Sequence, residues 1–246
     1  MNAQIVSDVH IEYKNNEIVN PLDYIKPSSP ILILAGDIGS LYKYDQLYSF
    51  LRDISLYFEH VLYVPGNHEY YIPPGFEPLE FDALTTRLVS IENSIDNLKI
   101  LNRQCVQLGD TCIIGATLWT KPLCELPKYI IRIHDITTDK YTNMFNVDLE
   151  YVERAIEYCK EKKLKVVCVT HHPPSEQIDT GKRDKFKSFY MSDLDYLLKD
   201  VDTWICGHVH NNFDFITEQG CRIVGNQKGK PKDKITDYRI DLVVEI

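Results

Sequence analysis

Along the chain, short runs of apolar and β-branched residues alternate with longer stretches whose apolar residues recur at helical spacing. Residues 3–7 (AQIVS), 30–35 (PILILA) and 60–64 (HVLYV) read as buried strands, each giving way to a polar or glycine-containing turn. Leu47, Phe50, Leu51, Ile54 and Phe58 recur at helical spacing and predict a helix over Leu41–Phe58. Leu84, Leu88, Ile91 and Ile95 predict another over 79–97. Residues 98–118 change texture, with three short strand-like pieces and Gly109-Asp110 as a hairpin turn between two of them. An amphipathic helix is expected over 148–163, then the strand KLKVVCVT, a shorter helix over 191–199 and the strand DTWICG. The tail from Phe213 reads as three strands broken at Glu218–Gly220 and Lys228–Asp237.

Strands alternating with helices in this way predict an α/β fold. With no repeat, low-complexity tract or linker in view, 1–246 is expected to form a single domain. Only 119–147 lacks periodicity, and a long irregular stretch in a compact domain points to an active-site flap. Arg132, His134 and Asp135 inside it receive no role from the sequence.

Composition narrows the function. The chain has 246 residues, 44% of them hydrophobic and 26% charged, enough to bury a core. Its net charge of −9 disfavours a partner as polyanionic as long nucleic acid. A single phosphate group is still accessible to an acidic chain if metal ions supply local positive charge. The 7 cysteines are scattered without a CxxC pair, several in apolar runs, so a reducing, cytoplasmic setting is expected. The apolar runs are too short to span a bilayer and no leader is apparent, so no membrane association is expected.

The chemistry lies where strands end. Strand 3–7 runs into SDVH, strand 30–35 into GDIG, strand 60–64 into PGNHE, strand 164–170 into THHPP, and strand 203–206 into GHVH. Ligands of open α/β sheets bind at the carboxyl ends of strands, so these clusters are placed to converge at one rim. Individually most are ordinary: Asp8-x-His10 and Asp37 are turn residues in many proteins, and His171-His172 would suit a surface strand end. If the extended conformation continues past strand 3–7, Asp8 and His10 share a face. Jointly the bland reading fails, because six of the 8 histidines (His10, His68, His171, His172, His208, His210) fall in these clusters. Asp, Asn and His donors without Cys suit manganese, iron or zinc.

The ordered set SDVH, GDIG, GNHE, THHPP and GHVH resembles the calcineurin-like metallophosphoesterase superfamily, and VLYVPGNHEYY, THHPPS and the LVVEI ending resemble its small single-domain bacterial and phage-type members. One departure is Ile38-Gly39-Ser40 after Asp37, where many relatives carry another acidic residue. The resemblance implies a four-layer α/β/β/α sandwich with two divalent metal ions, manganese foremost, at its rim. It implies Asp8, His10 and His210 on one ion, Asn67, His171 and His208 on the other, and Asp37 bridging them. It further implies a shared hydroxide as nucleophile and His68 as the general acid for the leaving alkoxide. Glu69 is expected to orient His68 or pack as a structural carboxylate, and His172 to stand behind the ligands or face substrate. Tyr70 and Tyr71 are read as pocket-lining or core. The charged stretch 182–187 (KRDKFK) is read as a solvated loop or a contact to a second phosphate.

The leading expectation is a phosphodiesterase acting on a small phosphoester or nucleotide-like substrate. Its first alternative is a phosphomonoesterase or protein phosphatase, although no arginine pair near the metals can be placed from Arg52, Arg87, Arg103 and Arg132. A non-catalytic binding scaffold is a further alternative. Oligomeric state cannot be read from the sequence.

Overall fold

A computed structural model describes residues 1–15, 17–178 and 186–246. Residues 182–185 of the charged stretch lie outside the described residues. The first sheet is built from β1 (Asn2–Val6), β2 (Ile31–Ala35), β3 (His60–Val64), β4 (Leu98–Ile100) and β11 (Val243–Glu245), in the order β11-β1-β2-β3-β4. The second contains β5 (Gln104–Leu108), β6 (Thr111–Ala116), β7 (Lys165–Thr170), β8 (Thr203–Ile205), β9 (Phe213–Ile216) and β10 (Arg222–Gly225), in the order β5-β6-β7-β8-β10-β9. β1 through β4 are mutually parallel, as are β6, β7, β8 and β10, while β11, β5 and β9 add antiparallel edges. An isolated parallel bridge between Ser7 and Gln227 joins the two sheets at the rim.

Pleat alternation makes the layers. Ile31, Ile33 and Ala35 of β2 point into one buried cluster with Ile5, Leu62, Val64, Ile113, Val167, Val169 and Ile205, which is the space between the sheets. Leu32 and Leu34 point the other way, into the cluster shared with Phe50, Leu51 and Ile54 of α1 (Tyr44–Ser55) and Leu84, Leu88 and Ile91 of α2 (Phe81–Asn93). On the second sheet, Cys112, Ile114, Val166 and Cys168 face outward, and α3 (Thr138–Glu161) packs against β6 and β7. Helices therefore cover both outer faces, giving the four-layer α/β/β/α arrangement.

Two helices differ from their expected bounds. α3 begins at 138, so the irregular stretch is 119–137. Its buried stripe is Tyr141, Phe145, Asp148, Val152, Ile156 and Cys159; an aspartate in the stripe hides the first three turns from a hydrophobic-period reading. Conversely, the helix expected over 191–199 is one turn, α4 (Asp195–Leu198). Before it, the amides of Ser192 and Leu194 donate to the carbonyls of Pro173 and Pro174, which holds that segment extended.

Asp148 is fully buried, accepts the Leu118 amide at 2.9 Å and pairs with Arg103 at 2.8 Å. Burial raises its pKa, opposed by Arg103. Leu118, which ends the turn after β6, has φ of 51° and depends on that acceptor. Asp148→Ala is expected to cost about 2–4 kcal/mol in urea unfolding, from an unsatisfied buried amide and a broken ion pair. A loss below about 0.5 kcal/mol would remove this contact from the account.

Candidate metal centre

The five clusters do converge at one rim, by backbone geometry the periodicity does not predict. β1 ends at Val6, and Asp8 and His10 both have φ of 53°. The extended conformation therefore does not continue through them; left-handed turns bring both side chains to one place. Asp37, His208 and His210 also lie in the left-handed region, with φ of 53°, 72° and 53°. Such a conformation costs about 1–2 kcal/mol per residue for a side chain other than glycine. The surroundings hold it: Asp8, His10 and Ile11 donate their amides to the carbonyls of Gly36, Asp37 and Ile38, each at 3.0 Å. The Asp8 carboxylate accepts the His208 amide, and Gln227 accepts the His210 amide at 2.6 Å.

Glu69 organises the second and third clusters together. Its carboxylate accepts the amides of Asp37 (3.1 Å), Ile38 (2.8 Å) and Gly66 (2.8 Å) and the Tyr63 hydroxyl (2.6 Å). Burial, reinforced by the nearby Asp37 charge, pushes its pKa up to about 8. Its partners are backbone amides and a phenol, so it is the structural carboxylate of the two expected roles. Orientation of His68 falls to Glu12 instead, which accepts from Nδ1 of both His68 and His10 at 2.9 Å. Burial opposes ionisation of Glu12, but the two imidazoles prevail and hold its pKa near 2.

The donor atoms form two groups. Asp8 Oδ1 lies 3.2 Å from His210 Nε2, and His10 Nε2 lies 3.0 Å from the same nitrogen. In the other, His171 Nε2 lies 2.9 Å from Asn67 Oδ1 and 3.2 Å from His208 Nδ1. Asp37 reaches both, with Oδ1 3.3 Å from His171 Nε2 and Oδ2 3.7 Å from His10 Nε2. Asp8, His10 and His210 each offer one ligand atom within 4.8 Å of the others, as do Asp37, His171 and His208.

The outer nitrogens of these rings decide what the inner ones do. His171 Nδ1 faces the Ala35 carbonyl at 3.0 Å and His208 Nε2 the Phe189 carbonyl at 3.1 Å, so those nitrogens carry the protons. His10 Nδ1 faces Glu12 and His210 Nδ1 faces Asp233. With neutral rings, His171 Nε2 and His208 Nδ1 then point lone pairs at each other, and so do His10 Nε2 and His210 Nε2, with the Asp8 and Asp37 carboxylates alongside. Facing lone pairs and buried carboxylates repel unless a cation or proton lies between them, so this donor set fits a divalent ion in each group. Without an ion, a proton takes that place: burial opposes the charged form of His171, but Asp37 overrides it and raises the pKa to about 9. Burial likewise opposes the Asp37 carboxylate, and the His171 charge drives its pKa well below the ordinary value. His10, Glu12 and His68 form a third cluster, in which Glu12 Oε1 already accepts from both imidazoles.

The remaining expected residues are placed as follows. His68 lines a cavity of about 420 Å³ together with Asp37, Asn67, His208 and His210. Burial lowers its pKa, against the opposing pull of Asp37 and Glu12. His172 is buried against Trp119 and His208, with Nδ1 3.2 Å from the Thr117 carbonyl. Burial and the His171 charge lower its pKa to about 3, and it borders the cavity as a neutral ring. Tyr70 belongs to the core, stacked on Phe81 at 4.4 Å, whereas Tyr71 lines the cavity 5.0 Å from the His68 ring. Arg132 lines the cavity too, while Arg52 and Arg103 are paired with Asp53 and Asp148. Glu12 and Asp233 were missed by the sequence reading. Glu12 extends the alternation of Asp8 and His10 by one step and was open to detection; Asp233 is 23 positions from His210 and carries no local signal.

Glycines permit the close approach of these loops. A Cβ at Gly66 would collide with the Asp37 carboxylate and amide. Gly66→Ala is therefore expected to weaken divalent-metal binding about 10–100-fold in calorimetric titration while leaving a folded chain. Unchanged affinity would mean that Asp37 does not contribute to the metal centre.

A profile of the calcineurin-like phosphoesterase family matches residues 1–212. The uncharacterised protein L509 of Acanthamoeba polyphaga mimivirus is 28% identical over 257 aligned positions, covering 91% of this chain and 89% of that protein. Among solved structures, phosphopantetheinyl hydrolase from Mycobacterium tuberculosis superposes with a TM-score of 0.65 at 17% identity, covering 94% of this chain and 90% of that one. A dimetal phosphatase from Danio rerio superposes at 0.57 with 12% identity, covering 92% and 87%.

Proposed function

The chain belongs to the calcineurin-like phosphoesterase family and is a metal-dependent phosphoester hydrolase, and from that premise we propose that it is a phosphodiesterase acting on small or nucleotide-like substrates. The observation that carries the finer reading is the placement of His68. Its Nδ1 donates to an ionised Glu12, which leaves Nε2 free to face substrate, and its ring borders the cavity beside Asp37 and Asn67. An acid in that position matters most for an alkoxide leaving group, which departs poorly without a proton.

Asp8, His10 and His210 would hold one divalent ion and Asn67, His171 and His208 the second, with Asp37 shared between them. Bound there, two such ions supply Lewis acidity and a water of lowered pKa, with manganese the first choice for Asp, Asn and His donors. The chain's own residues do the rest. In its imidazolium form, with the charge matched by ionised Glu12, His68 gives the Nε2 proton to the departing oxygen. It is left neutral with Nδ1–H still donated to Glu12, which keeps Nε2 turned to the cavity. Glu69 fixes the loops that present Asp37 and Asn67. The aromatic side chains of Tyr13, Tyr71, Phe189 and Tyr190 exclude water around the reacting group and offer flat surfaces to an aryl or base moiety. Cytoplasmic location is proposed from seven scattered cysteines without a CxxC pair, several of them in apolar strands. No helix among the described residues is long and apolar enough to cross a membrane.

The test is hydrolysis of bis(p-nitrophenyl) phosphate and p-nitrophenyl phosphate by one manganese-loaded preparation. A higher kcat/KM for the diester is expected. A higher value for the monoester would make the protein a phosphomonoesterase, and turnover of neither with two ions bound would favour a binding scaffold.

A further inference from the structure

Beside the metal-side cavity lies a second cavity of about 320 Å³, and Tyr13, His68, Tyr71 and Arg132 line both. Glu12, Ser40, Lys43 and Phe76 contribute to the second one alone. His68 thus stands at the boundary between the two spaces. The oxygen it protonates belongs to the leaving half of a diester, so that half continues past His68 along the wall made by Tyr71 and Arg132.

Arg132 differs from the four ion-paired arginines and from Arg87, which donates to the Leu41 carbonyl. Arg52, Arg103, Arg154 and Arg222 pair with Asp53, Asp148, Glu150 and Asp214. Arg132 forms no such pair among the described residues, and its Nε is buried without a hydrogen-bond partner. Its position is nevertheless fixed: its carbonyl accepts the Ile72 amide at 2.7 Å, and its guanidinium lies 5.9 Å from the Tyr71 ring centre. Glu12, the acidic side chain lining the second cavity, accepts from His10 and His68 through Oε1, while its Oε2 is buried without a hydrogen-bond partner. Lys43, across that cavity, donates to the backbone carbonyls of Glu12 and Asn15. A partly desolvated guanidinium without an ion-pair partner among the described residues is a site for a planar or tetrahedral oxyanion. In a chain of net charge −9 it offsets locally a field that otherwise repels anions.

We infer that the second cavity receives the leaving-group half of the substrate and that Arg132 binds an anionic oxygen group, phosphoryl or carboxylate, carried by that half. The inference rests on the phosphodiesterase reading with His68 as acid. It makes the preferred substrate a diester whose leaving alcohol bears a second negative charge.

The experiment compares three methyl aryl phosphates that share one scissile diester, with 4-phosphonophenol, 4-hydroxybenzoate or the neutral 4-hydroxybenzamide as leaving group. Rates are normalised to each ester's uncatalysed hydrolysis, and affinity for the three free phenols is measured by calorimetry on the manganese-loaded protein. One charge-assisted contact predicts about a ten- to hundredfold advantage in kcat/KM for an anionic ester over the neutral one. That advantage should fall to about one in Arg132→Gln, remain in part in Arg132→Lys, and appear in phenol affinity as well. The better of the two anions distinguishes phosphoryl from carboxylate. Turnover with equal kcat/KM for all three esters overturns the subsite and leaves the phosphodiesterase standing. Absence of all turnover, with anionic phenols still preferred and the preference lost in Arg132→Gln, overturns the phosphodiesterase reading and leaves a ligand site. Should Arg132→Gln not fold, the ratio in the unmodified protein decides by itself.

Discussion

Asp37→Asn is expected to lower diester turnover by about 10³–10⁴-fold, several kcal/mol of transition-state stabilisation at 1.36 kcal/mol per tenfold. Asp37 reaches both donor groups, so removing its charge affects both ions at once. Asparagine keeps the volume and an oxygen that accepts the His68 amide, a contact of 2.8 Å in the parent, so the fold should survive. Kinetics should be paired with metal stoichiometry by elemental analysis, which should fall below two ions per chain in the variant. An enzyme that retains two ions and full activity would show that Asp37 is a turn residue and nothing more.

His68→Ala should act differently. Its side chain contacts Glu12 and neighbouring rings and contributes to neither of the two principal donor groups, so metal content should stay at the parent value. Turnover of a diester with an alkyl leaving group should drop by about 10²–10⁴-fold, the usual contribution of a positioned acid. The deficit should shrink for a nitrophenyl ester, whose leaving oxygen needs little protonation. Equal deficits for both leaving groups would remove His68 from proton transfer and make it a positioning residue.

The fold and the site were legible in the sequence to different depths. Strand positions were clear because β2 and β3 are continuous apolar runs, buried on both faces between a helical layer and the other sheet. The start of α3 was hidden because Asp148 interrupts its buried stripe, and its reason for being there is a partner, Arg103, 45 positions away. At the rim, local motifs named the residues that the fold assembles, but not how it does so. Period-2 reasoning for Asp8 and His10 presumed extended backbone where both residues are left-handed. The second layer of the site divides in the same way. Glu69 stands next to a motif and reads as a carboxylate needing a role, whereas its partners at Asp37 and Ile38 exist only once the turn after β2 meets the turn after β3. Asp233 and the backbone carbonyls of Ala35 and Phe189 fix histidine tautomers from a distance, and nothing in the local spacing announces them.

The central claim is that two divalent ions in the paired donor groups make this chain a phosphodiesterase. The most direct test is titration of the metal-stripped protein with Mn²⁺, following heat of binding and the rate of bis(p-nitrophenyl) phosphate hydrolysis on the same sample. The account predicts that the rate rises until two equivalents per chain are bound and then levels. Saturation of the rate at one equivalent, or two ions bound with no hydrolysis, would contradict it.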